Sequence, residues 1–125
     1  MSEEQRTIIK TLNASGIYIF SFRKYPKSIL VEIDSTFIHI GNLVSSIAIV
    51  EESTAYIATL YVNGEECAIV RNSGNGGIAT LCLVNRDRVK DKSVIREIER
   101  KLNEKKPCWS LEKLCDLLAY KFLLC

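Results

Sequence analysis

No apolar run in this sequence reaches the roughly 18–20 residues that a membrane-spanning helix needs. The most apolar stretch, Leu111–Cys125, is shorter and carries Glu112, Lys113, Asp116 and Lys121. No membrane partner is therefore expected. The chain has only two prolines and six glycines in 125 residues, which excludes collagen-like and low-complexity chains. Charge of one sign is also missing. Seventeen bases against fifteen acids leave +2, which excludes a polybasic nucleic-acid arm. There is one histidine, His39. Alone it suggests no nucleophile–base–orienting set, and a solvent-facing or capped strand residue is its ordinary reading. No catalytic residue is nominated, and the chain is expected not to be an enzyme.

Cysteine is present, but without a pattern. Cys67, Cys82, Cys108, Cys115 and Cys125 include no Cys-x-x-Cys pair, and their number is odd. Neither a zinc site nor any other metal or cofactor is expected from such spacing. Free thiols behaving as small hydrophobes fit a reducing compartment. Met1 to Lys10 is polar and charged, unlike a secretory leader, so a cytoplasmic location in a host cell is expected.

What is there has the usage of one ordinary globular domain: 47% hydrophobic and 26% charged. The hydrophobic period is that of a helix first. Ser2 and Gln5 have the form of a capping box ahead of Ile8, Ile9 and Leu12, and Asn13 and Gly16 are stop signals. The period then falls to two. Ile17–Arg23, Ile29–Asp34, Thr36–Ile40, Leu43–Val50, Ala55–Val62, Glu65–Arg71 and Ile78–Val84 all read as strands. Tyr25-Pro26-Lys27 reads as a turn, and the alternation slips near Asp34-Ser35, where a tight turn or bulge is expected. Asn63-Gly64 is the strongest hairpin signal, because a type I′ turn needs positive φ at both positions. Counting outward from that turn pairs Leu60 with Cys67 and Tyr56 with Arg71. A symmetric second hairpin pairs Arg71 with Ile78 and Cys67 with Cys82. Both faces of the resulting meander are largely apolar. One is expected under helices, the other under more chain or a second subunit. Ser93–Lys105 reads as an amphipathic helix ended by Pro107. Ser110 caps a last helix, Leu111–Cys125, with Trp109 placed to staple onto Leu114. The fold class expected is α+β: an antiparallel, meander-rich sheet with an N-terminal helix and two C-terminal helices packed on it, over residues 1–125 as one domain.

Two candidate sites follow. The first is Arg71, Asn72, Gly74, Asn75, Gly76 and Gly77. Glycine-rich backbone can turn several N–H groups toward one anion, and Arg71 adds a charged fork. A nucleotide or other small anionic ligand would suit such a loop. Yet it runs from strand to strand, without the helix N-terminus of a phosphate loop. A shaped hairpin loop with positive φ at several positions is the plainer reading. The second is the last helix, apolar at 11 of 15 positions. Leu114, Leu118, Phe122 and Leu123 are nominated as its partner-binding residues, for a host protein or a homo-oligomer. Charge concentrates elsewhere. Residues 85–106 carry nine bases and five acids, so weak nucleic-acid contact would fall there. No aromatic row interleaves those bases, which favours a solvated helix face.

The segment Glu51–Glu66, followed by Val70–Gly77, resembles a group of small uncharacterised proteins encoded by phages and related mobile elements. Their pattern is an acidic-Thr stretch, an aromatic-rich strand, a Val-x-Gly turn and an Asn-x-Gly-x-Gly-Gly loop. The matching positions are Val62, Gly64, Asn72, Gly74, Gly76 and Gly77, within roughly residues 44–84. The resemblance implies no chemistry. It implies a small accessory protein in a host cytoplasm, acting by binding and in some cases against a host defence system.

Overall fold

A computed structural model describes residues 2–22, 28–47, 54–84 and 89–124. Helix α1 (Glu3–Ala14) opens on the expected capping box: Ser2 Oγ accepts from the Gln5 N–H, and Gln5 Oε1 accepts from the Ser2 N–H. Gly16, at φ +88°, lets the chain reverse so that the Ile17 N–H donates back to the Leu12 carbonyl. Six strands follow in simple sequence order as one antiparallel sheet: β1 (Tyr18–Phe22), β2 (Ser28–Ile33), β3 (Thr36–Ile47), β4 (Thr54–Val62), β5 (Glu65–Asn72) and β6 (Thr80–Leu83). Two C-terminal helices complete the chain, α2 (Val89–Lys105) and α3 (Leu111–Leu118). The α+β arrangement expected from the sequence is the one observed.

Both tight hairpins have the dihedral signs their residues demand. Asp34 and Ser35 have φ of 47° and 67°, and Asn63 and Gly64 have 51° and 84°. Two successive positive φ values match the right-handed twist of the flanking strands. Asn63 also ties the two hairpins together. Its Oδ1 accepts from the Phe37 N–H at 2.9 Å, and its own N–H donates to the Phe37 carbonyl at 2.7 Å.

Four expectations need correction. Thr36–Ile40 and the described part of Leu43–Val50, up to Ile47, are not separate strands: they merge into β3, which bends through a register shift between Gly41 and Val44 with Asn42 at φ 52°. The β4–β5 pairing carries a bulge between Leu60 and Tyr61, so Leu60 faces Ala68 and Tyr56 faces Asn72. One extra residue on β5 inverts the faces of everything beyond it. Ile69, not Cys67, then pairs with Cys82, and Arg71 pairs with Thr80. Cys67 is buried, Cys82 is exposed, and no disulfide joins them. Helix α2 starts four residues early, at Val89, and α3 loosens after Leu118 into a π-helical turn, Ala119–Leu123. The turn expected at Tyr25-Pro26-Lys27 lies outside the described residues.

The core fills one side of the sheet only. Val31, Ile38 and Leu60 from the strands meet Ile98, Leu102, Leu111, Leu114 and Leu118 from the helices, all buried. Burial of this many aliphatic side chains, each worth about 1.5–3 kcal/mol, is the main stabilising term. The opposite side of the sheet carries no layer among the described residues.

Candidate functional site

The helix-facing side of β4 and β5 ends in a polar knot at Asp116 of α3. Tyr56 lies opposite Asn72 on that face. The Tyr56 hydroxyl donates to Asp116 Oδ1 at 2.6 Å, and Asn72 Nδ2 donates to the same oxygen at 3.0 Å. Asp116 Oδ2 accepts the Ala79 N–H at 2.9 Å. Charge-assisted hydrogen bonds of this kind are roughly twice as strong as neutral ones. Burial, and then the bond to Asp116, push the Tyr56 phenol well above its ordinary range, so it stays a donor. Tyr120, from the π-turn, meets Tyr56 edge to face at 5.4 Å and donates to the Thr54 carbonyl at 2.7 Å.

Asn72 carries the knot into the glycine loop. Its Oδ1 accepts from the Gly74 N–H at 2.8 Å, and its Nδ2 also donates to the Gly77 carbonyl at 3.1 Å. Gly74 and Gly76 have φ of 79° and 82°, as a shaped hairpin loop requires. Asn72 therefore spends its amide inside the fold, while Ser73, Asn75, Gly76 and Gly77 are exposed. Arg71 is exposed on the other side of the sheet, beside Ile57 and Thr80. The loop and its arginine thus do not converge. A cavity of about 320 Å³ does open beside the loop, lined by Thr54, Asn72, Gly76, Gly77 and Tyr120.

The nominated residues of the last helix are also placed. Leu114, Leu118 and Phe122 are buried in the core, and Leu123 is half-buried against it. Their apolar surface is taken up by the chain itself. Three bases of α2 have acidic neighbours: Arg100 forks between Glu97 and Glu104, Lys90 reaches Glu65 at 3.6 Å, and Lys105 reaches Asp34 at 3.0 Å. Arg86 and Arg88 lie outside the described residues. Cys115 is buried, and burial raises its thiol far above the usual range, which keeps it protonated. Among the described residues, no three His, Cys, Asp or Glu side chains gather as a metal would need. No helix is long and apolar enough to cross a membrane.

Apart from Ile78 and Val89, which lie outside the strands, the large exposed hydrophobics fall instead on the open side of the sheet. Tyr18, Phe20, Phe37, Val44 and Val84 are 40–65% exposed. Between them, His39 and Tyr61 stack as cross-strand neighbours, with centroids 4.6 Å apart and planes 3° off parallel. Tyr61 lies over Gly41, where an added Cβ would come within 3.1 Å of its ring, and its hydroxyl accepts from Asn42 Nδ2. Partial burial lowers the His39 pKa, which favours the neutral ring in that stack. The corrected register is what assembles this face. Compared with known proteins, the chain matches no family model, no curated protein and no solved structure.

Proposed function

We propose that this chain is a non-enzymatic binding protein that works by docking the open side of its sheet onto another protein surface. The observation that carries the reading is that open side: aromatic and aliphatic side chains exposed across the strands, opposite a core that already uses both C-terminal helices. Contiguous apolar surface of this kind marks association sites on soluble domains. Aromatic residues are also the usual anchors of protein interfaces. The resemblance over residues 44–84 adds a context, that of a small phage or mobile-element accessory protein acting on a host protein or defence system.

The test is a photo-crosslinking residue placed at Phe20 in living host cells. A discrete crosslinked species is expected, and it should disappear when Val44→Glu is added on the same face. The same crosslinker at Arg100, on the outer surface of α2, should give none. A smear or nothing at Phe20 refutes docking by this face. A second reading, a small ligand beside the glycine loop, is favoured by the cavity between Thr54, Gly77 and Tyr120. Nucleotides and related anions should then raise the melting temperature, and Tyr120→Leu should abolish the shift. No shift with any of them removes this reading.

A further inference from the structure

We infer that the occupant of the open sheet face is a second copy of this chain, packed face to face about a two-fold axis that crosses the strands at the level of Ile69. This inference rests on the docking reading above and names its partner. Three observations support it: the charges on the face, the rows of side chains, and the size of the face.

Cross-strand partners share a face, so the open side can be read in rows. Leu30, His39, Tyr61 and Glu66 form one row. Gly41, Thr59, Ile69 and Cys82 form the next. Val44, Ile57, Arg71 and Thr80 form a third. Glu66 and Arg71 are both exposed and sit on the same strand, one row to either side of Ile69. A two-fold axis across the strands at Ile69 lays β5 antiparallel over the second copy's β5. Glu66 of each copy then meets Arg71 of the other, twice. The same operation sets the His39–Tyr61 stack over the second copy's Val44 and Ile57. Glu32, the remaining acid on this face among the described residues, pairs with Phe37 near the Asp34-Ser35 turn and stays at the rim. The alternative two-fold, with its axis along the strands, sets β5 over β2 and brings Glu66 toward Glu32. Like charges facing each other disfavour it.

The size is adequate. The three rows, with a shorter fourth of Tyr18, Glu32 and Phe37, lie about 4.8 Å apart between strands and about 7 Å apart between rows, and cover on the order of 500 Å² in projection. Side-chain relief brings that to about the 600 Å² per partner at the lower end of specific interfaces. Face-to-face sheets pack about 10 Å apart, which places the two Cys82 thiols opposite each other near the axis and within reach of a short bis-maleimide.

Sedimentation velocity over a wide concentration range is the experiment, paired with bis-maleimide crosslinking. The wild type is expected to dimerise, and its crosslink should vanish in Cys82→Ser and persist in Cys108→Ser. Arg71→Glu should weaken the dimer about tenfold or more, and adding Glu66→Arg should restore it. Both positions are exposed, so circular dichroism should show an unchanged fold. A monomer at every concentration, or a dimer indifferent to Arg71→Glu, overturns the inference. Mass analysis of the Phe20 crosslink separates the two failures. A host protein there overturns the self-partner and keeps the docking reading, whereas no discrete product removes both.

Discussion

Replacing Asp116 should cost more than its half-exposed position on a surface helix suggests. The carboxylate accepts three hydrogen bonds from three different parts of the chain: the Tyr56 hydroxyl on β4, the Asn72 amide on β5, and the Ala79 N–H at the end of the glycine loop. Hydrogen bonds to a charged group contribute about 1.5–3 kcal/mol each. Partial exposure lets water replace some of that. In Asp116→Ala the Asn72 amide also keeps the Gly77 carbonyl. A loss of about 3 kcal/mol is expected for Asp116→Ala. Asp116→Asn keeps the shape but offers one acceptor oxygen where two were used, and its amide would point at another donor. About 2 kcal/mol is expected there. Tyr56→Phe removes one bond, and the double variant with Asp116→Asn should show a coupling of about 1 kcal/mol. Urea unfolding at constant m-value reads all of these, and hydrogen exchange at the Ala79 amide reads the loop alone. A cost below about 0.5 kcal/mol for Asp116→Asn would refute the knot as the anchor of the loop.

Other outcomes follow from the same contacts. His39 has a lowered pKa in the fold, so the unfolded chain binds the extra proton first as pH falls. The stability its neutral form contributes is therefore present above pH ~6.5 and lost as pH drops toward the lowered folded value. His39→Gln should flatten that part of a melting-temperature profile, and an unchanged slope would sink the assignment. Leu118→Ala should destabilise the monomer by about 2–5 kcal/mol, because Leu118 is fully buried core and not a free docking residue. Chemical denaturation settles that one, with a loss under about 1 kcal/mol counting against it. Gly41→Val should push the Tyr61 ring off its seat, since the Cβ position is only 3.1 Å from Cε2. A changed Tyr61 ring environment by NMR, with the fold retained, is the expected signature.

Much of the architecture was legible because its signals are local. The Ser2–Gln5 box, the Asn63-Gly64 turn and the Ser110 cap each act through neighbours a few residues away. The bulge was not legible. Cys67, Ala68, Ile69 and Val70 are all apolar, so either register leaves the alternation plausible. Only the pairing of Leu60 with Ala68 decides between them. That single residue also concealed the Asp116 knot. With Tyr56 placed opposite Arg71, Asn72 falls on the wrong face, and an aspartate in an apolar helix reads as solvated. An acid placed mid-helix among eleven apolar positions, together with a Tyr and an Asn near the end of one hairpin, was the signal that could have found it.

The two sides of the sheet use their polar groups differently. On the covered side, polar atoms near the glycine loop are spent on one another. Asp116, Tyr56 and Asn72 fix the end of the hairpin against α3, and the loop's positive-φ glycines follow from that fixation. On the open side, the side chains of Glu66 and Arg71 are exposed on a strand already paired on either flank. Exposed charges of this kind can select a partner, since charge pairs at interfaces chiefly set orientation and rate of association. The hydrogen-bonded glycine loop and the proposed docking face are therefore separable by substitution. Changes at Asn72 or Asp116 should lower stability with little effect on association per folded molecule. Changes at Ile69 or Arg71 should do the reverse, and a variant set that mixed the two effects would contradict this division of the sheet.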